Sequence, residues 1–167
     1  MKTCQNSKHS QAINAGPYNL PRFRVTLVRE NSASFPSAAI RDSRTAADML
    51  APHFQDLDRE QFVVCGLDAK HRIIGLNVVS VGSLTVSIVH PREVFKPLIL
   101  MNACALICAH NHPSGDATPS PEDHALTARL RQAGELLGIT LLDHIILGDY
   151  NYSFADQGWP GVNPLPA

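Results

Sequence analysis

With 167 residues and 44% hydrophobic content, the chain suits one domain with a sizeable core. A net charge of -1 gives no overall basic footprint for nucleic acid, and no apolar run reaches the ~18 residues that a membrane span needs. The opening stretch, MKTCQNSKHSQAINAG, has no apolar segment of the signal-peptide kind, so a cytoplasmic protein is expected.

The charge is uneven: residues 1–45 carry a net +5 and residues 46–167 a net -6. The basic part reads as a solvated lead-in, and it is also the part that could touch an acidic partner. Cys4, Cys65, Cys104 and Cys108 show neither a CxxC pair nor zinc-finger spacing. The last three lie in apolar runs and read as buried, reduced thiols.

Residues 1–20 read as a disordered segment, 21–158 as one domain and 159–167 as a loose tail. In Pro21 to Arg29, Phe23, Val25 and Leu27 alternate with Arg22, Arg24 and Thr26, which predicts a half-buried strand. Asp42 or Ser43 can cap a helix with apolar positions Ala46, Ala47, Leu50 and Phe54. Gln61–Leu67 and Arg72–Val81 form a hairpin about the Asp68–His71 turn. Gly82 and Ser83 break it, and Leu84 to Val89 is extended again. His90-Pro91 starts a helix that Pro97 keeps short or kinks. Ala103 to Ala109 reads as a buried central strand. Ser120-Pro121 opens a helix to Leu137 with Leu126, Leu130, Ala133 and Leu137 as its apolar stripe, ended by Gly138. Ile139–Leu147 and Tyr150–Phe154 are further strands. This order implies a mixed sheet with helices on its faces.

The chemistry concentrates between His110 and Asp123. His110 and His112 are two apart, so in extended backbone both imidazoles point the same way. Asp123 shares the helix face of Leu126 and Leu130, where a carboxylate is costly unless ionically engaged. Two histidines and one carboxylate leave a fourth tetrahedral position for water, as in catalytic zinc sites. A plainer reading makes Ser120 the helix N-cap and Asp123 its capping-box partner, with the histidines a loop pair. His-Asn-His is not the HNH nuclease arrangement, whose residues are spread over a ββα unit. A zinc deaminase would need His-x-Glu and Pro-Cys-x-x-Cys, and both are absent.

His110-x-His112, seven residues, Ser120, two residues and Asp123 resemble the JAMM motif of the JAB/MPN metalloprotease superfamily. The stretches Val89-His-Pro-Arg-Glu-Val94, Ala109-His-Asn-His-Pro-Ser-Gly115, Pro119-Ser120 and Leu142-Asp-His-Ile145 are similar to its bacterial RadC branch. The resemblance covers about residues 21–158. Longer members carry an N-terminal helix-hairpin-helix domain, for which this chain looks too short.

The resemblance implies a three-layer α/β/α, cytidine-deaminase-like fold around a mixed sheet. It implies Zn2+ held by His110, His112 and Asp123, with an upstream glutamate as general base and the Ser120 hydroxyl steadying the oxyanion. Glu60, an acid at the edge of a buried strand, stands where that glutamate is expected. Glu93 is the competitor, although it also reads as a first-turn acid complementing a helix dipole. His90 is a possible supporting residue. Asp143 and His144 could orient a ligand or form a satisfied core pair. Cys108 shares the strand parity of His110. The implied activity is hydrolysis of a peptide or isopeptide bond in a protein or peptide of unknown identity. The alternatives are a DNA-repair-associated nuclease or accessory module, which has only the basic lead-in in its favour, and a metal-free interaction module.

Overall fold

The computed structural model describes residues 24–28, 39–82 and 89–161. Nine elements follow in chain order: α1 (Ser43–Phe54), β1 (Gln61–Leu67), β2 (Ile73–Val81), α2 (Pro91–Leu100), β3 (Ala105–Asn111), α3 (Pro121–Leu137), β4 (Thr140–Leu147), β5 (Asn151–Ser153) and α4 (Phe154–Gln157). The strands form one mixed sheet in the order β2-β1-β3-β4-β5. β1 is antiparallel to β2 and to β3, β3 runs parallel to β4, and β4 is antiparallel to β5.

Strand periodicity splits the core into two layers. Val63, Cys65, Leu67, Ala105, Ile107 and Ala109 pack with Ala46, Leu50 and Phe54 of α1. Phe62, Val64, Leu106 and Cys108 point the other way, toward Val94, Phe95 and Leu98 of α2 and Leu126 and Leu130 of α3. The result is the three-layer α/β/α arrangement. β3, central in the sheet, is buried at every position, as an apolar strand covered on both faces must be.

The helix signals act as the sequence predicts. The Asp42 side chain accepts from Thr45 N at 2.7 Å. Pro91 opens α2, and the helix ends three residues after Pro97. Gly138 closes α3 with φ 69°, the left-handed conformation that glycine adopts without strain.

Three expectations need correction. Residues 24–28 join no strand, and Val25, Leu27 and Val28 are exposed. Alternation gives strand potential, yet a strand also needs a partner, and none takes this one up among the described residues. The extended stretch expected at Leu84–Val89 lies outside the described residues except for Val89, which is buried. Leu137 is 48% exposed, because Gly134 occupies the turn of α3 that meets β4. Cys104 is exposed in the approach to β3, whereas Cys65 and Cys108 are buried. Burial pushes the Cys65 thiol up to about 12 and the Cys108 thiol well above its usual range, so both are unreactive. The start of the tail also packs: Trp159 is half-buried, with the Arg131 guanidinium 4.8 Å above its ring.

Candidate metal centre

His110 lies on β3 and His112 just beyond its end, where the extended backbone turns both rings the same way. Their Nε2 atoms are 3.1 Å apart. α3 begins beside them. Ser120 and Asp123 form a reciprocal capping box, in which Ser120 Oγ accepts from Asp123 N at 3.1 Å and Ser120 N donates to Asp123 Oδ2 at 2.8 Å. The cap and the site are therefore one structure. With Oδ2 held by the cap, Oδ1 stands 3.3 Å from His110 Nε2. Oδ2 is 3.7 Å from His112 Nε2.

Glu60 precedes β1 and reaches the same place through the sheet. β1 pairs with β3 so that Phe62 faces His110, which sets Glu60 beside the histidine pair. Its Oε1 is 4.0 Å from His110 Nε2. Asn111, the middle residue of His-Asn-His, fixes the backbone on both sides of Glu60. Its Oδ1 accepts from Gln61 N at 2.8 Å, and its Nδ2 donates to Arg59 O at 3.2 Å. Sequence reasoning gave Asn111 no role; only the pairing of β1 with β3 reveals one.

Two observations suit this cluster to a cation. Asp123 Oδ1 is buried without a hydrogen-bond partner, an arrangement that costs about 1–3 kcal/mol if nothing meets the acceptor. The His112 Nδ1–H donates to the Asp116 carbonyl at 2.6 Å, so the neutral ring turns a bare Nε2 lone pair into the cluster. Ligand atoms from Glu60, His110 and His112 lie within 4.8 Å of one another. That group of three leaves out Asp123, although its carboxylate is nearer to His110 than that of Glu60 is. We regard all four residues as one site, because the nearer and wholly buried carboxylate has the stronger need of a positive charge.

The remaining expected residues separate. Neighbouring strand positions face opposite sides, so Asp143 and His144 part company. Asp143 accepts from Ser153 Oγ at 2.7 Å and from Ala155 N at 3.0 Å, which ties β4 to the start of α4. Burial raises its pKa. His144 turns to the site, with its Nε2 2.9 Å from His110 Nδ1. Cys108 keeps its Sγ 3.9 Å from the Asp143 carbonyl and belongs to the core. Glu93 is an exposed partner of Lys96 on α2, and His90 caps that helix by position without a side-chain bond.

Burial carries His110 down to about 4, against the pull of Asp123, and holds His144 well below its ordinary value. Both folded values lie under the unfolded one of 6.5, so the unfolded chain takes up protons first. Stability of the metal-free protein should therefore be complete above pH 6.5 and fall as the pH drops toward about 4. The His110 contribution alone is on the order of 3 kcal/mol. Urea denaturation in chelator at a series of pH values measures it, and a flat profile would contradict the assignment.

The sequence model of the RadC-like JAB domain matches residues 40–159. The chain belongs to this family. Among curated relatives, a UPF0758 protein of Moorella thermoacetica is 51% identical over 114 residues, covering 68% of this chain and 50% of the relative. A UPF0758 protein of Symbiobacterium thermophilum is 47% identical over 132 residues, 78% of this chain and 56% of the relative. One from Methanosarcina mazei is 42% identical over 146 residues, 87% and 62% respectively. The RadC-like chain thus spans roughly half to three-fifths of the length of these relatives. Among its described residues no helix is long and apolar enough to cross a membrane.

Proposed function

We propose that this RadC-like JAB domain is a zinc-dependent hydrolase of the JAMM type, cleaving a peptide or isopeptide bond. The separations among the three nearest donors carry this reading. Nε2 of His110 stands 3.1 Å from Nε2 of His112 and 3.3 Å from Asp123 Oδ1, while the other carboxylate oxygen, Oδ2, stands 3.7 Å from Nε2 of His112. Donors around a tetrahedral zinc with ordinary bond lengths stand about 3.3 Å apart. Two imidazoles and a carboxylate also favour zinc over the hard, oxygen-loving cations. Glu60, at 4.0 Å, is set back from that group by a distance that suits a proton acceptor rather than a fourth ligand.

Bound zinc would supply Lewis acidity, bringing the pKa of a water to about 7. Glu60 takes the proton of the attacking water on Oε1 and returns it to the leaving amine, so one carboxylate serves as base and then as acid. Asn111 keeps that carboxylate in place through the backbone of Arg59 and Gln61. The Ser120 Oγ donates to Asp123 Oδ2 at 2.7 Å, so its hydroxyl meets an oxyanion only by turning away from the ligand it steadies.

The test is to measure zinc content and to compare new N-termini and released isopeptide products in cells expressing wild type or Glu60→Gln. Wild type should bind one zinc and generate products. The variant should bind the same zinc, and its rate should fall by about 10²–10⁴-fold. A wild-type protein without zinc, or a Glu60→Gln protein with undiminished turnover, would rule the reading out.

A further inference from the structure

Behind the ligands lie two wholly buried polar side chains that the proposed chemistry leaves unexplained, His144 on β4 and Thr127 on α3. Their hydrogens can be assigned one at a time. The Thr127 hydroxyl has a single proton, and it donates this to the Asp123 carbonyl oxygen at 2.6 Å. The same hydroxyl oxygen is 2.6 Å from His144 Nδ1. With its proton committed, Thr127 can only accept there, so Nδ1 of His144 bears the hydrogen. The His144 ring is enclosed by Phe62 and Phe154, with centroids 5.5 and 5.1 Å away, surroundings in which a charged imidazole would be costly. A neutral imidazole has one N–H. The Nε2 of His144 is then a bare acceptor, 2.9 Å from Nδ1 of His110. His110 must donate in that contact, and a neutral ring that donates from Nδ1 leaves Nε2 bare, its lone pair aimed at His112 and Asp123.

We infer that Thr127 and His144 are positioning residues that lock His110 in the Nδ1–H tautomer, so that Nε2 is presented to a metal ion before the ion arrives. The inference rests on reading the cluster as a metal centre. The relay also couples two elements. Thr127 sits one turn after Asp123, so α3, which supplies the carboxylate ligand, also dictates the proton on the β3 ligand. The opposite arrangement would have Thr127 donate to His144 and abandon the Asp123 carbonyl. It would leave His110 with Nε2–H pointing into the cluster, where a cation would have to displace it.

The experiment compares the 167-residue wild type with its Thr127→Val and Thr127→Ser variants. Valine keeps the shape and removes the hydroxyl; serine keeps the hydroxyl. Two quantities are read: affinity for zinc ion by competition with a chromogenic chelator, and the imidazole 15N spectrum of the metal-free protein, which distinguishes the tautomers. Wild type should show His110 as Nδ1–H. Thr127→Val should lose about 10–100-fold in zinc affinity, with Nε2–H appearing on His110, and Thr127→Ser should restore both. A side chain that merely fills space would lower thermal stability on substitution and leave tautomer and affinity alone, and that result would overturn the relay. If wild type binds no zinc, the metal reading fails by itself. The metal-free spectrum of wild type then still decides the relay, since Nε2–H on His110 would refute it.

Discussion

Asp123→Asn should make the metal-free protein more stable while weakening the proposed metal site at least about 100-fold. The carboxylate is 1% exposed. One oxygen is satisfied by the backbone N–H and hydroxyl of Ser120; the other has no hydrogen-bond partner and faces His110 Nε2 at 3.3 Å. With the His110 lone pair also bare, two acceptors confront each other. An amide of the same shape keeps its oxygen toward Ser120 and offers N–H to the imidazole. Relief of the unmet acceptor should add about 1–2 kcal/mol in chelator. The order reverses when metal is supplied, because ligand binding stabilises by about 2.7 kcal/mol at a hundredfold excess over Kd and the variant forgoes it. Urea denaturation with and without zinc reads both effects. A metal-free variant weaker than wild type would mean that the carboxylate is already satisfied without a cation.

Gly134→Ala should destabilise, against the usual direction in a helix. In an exposed helix interior the change gains up to about 1 kcal/mol from propensity. Here an added Cβ would lie 2.5 Å from the Ile139 carbonyl oxygen and 3.5 Å from both Leu141 N and the Phe95 ring. The carbonyl is backbone, and Ile139 N is itself held to Gly134 O at 3.0 Å, so the neighbour cannot simply rotate away. Overpacking of this kind costs about 1–3 kcal/mol. We expect a net loss of about 2 kcal/mol and a fall of roughly 4–8 °C in Tm, read by calorimetry. Gly138→Ala serves as the control, since no atom lies within 4 Å of its added Cβ and only the left-handed φ is strained. A Tm for Gly134→Ala at or above wild type would show that α3 and β4 can part freely.

Much of this architecture is written locally. The Ser120-Pro121 start and Gly138 stop of α3, the Asp42 cap of α1 and the Pro91 start of α2 each depend on residues within one helical turn, so they read directly from the chain. Strand parity likewise turns His110 and His112 to the same side. The Val25 and Leu27 alternation misled because periodicity records what a segment can pair with, not whether a partner is there. The Leu137 error has a related cause. Helical spacing marks a face, but the close approach of α3 to the Ile139 backbone decides which turn of that face is buried.

The sequence by itself determined most of the elements, the caps of the three long helices and the family motif, because these rest on interactions between near neighbours. Tertiary structure decided the rest. Pairing of β1 with β3 sets Glu60 beside His110 and lets Asn111 grip the backbone on both sides of it. Parallel pairing of β3 with β4 places His144 against Cys108, two residues from His110 on the same face, and packing of α3 on β4 brings Thr127 to it. Each of these contacts joins residues far apart in the chain, where register is settled by burying two faces of one sheet at once, and no local spacing records it.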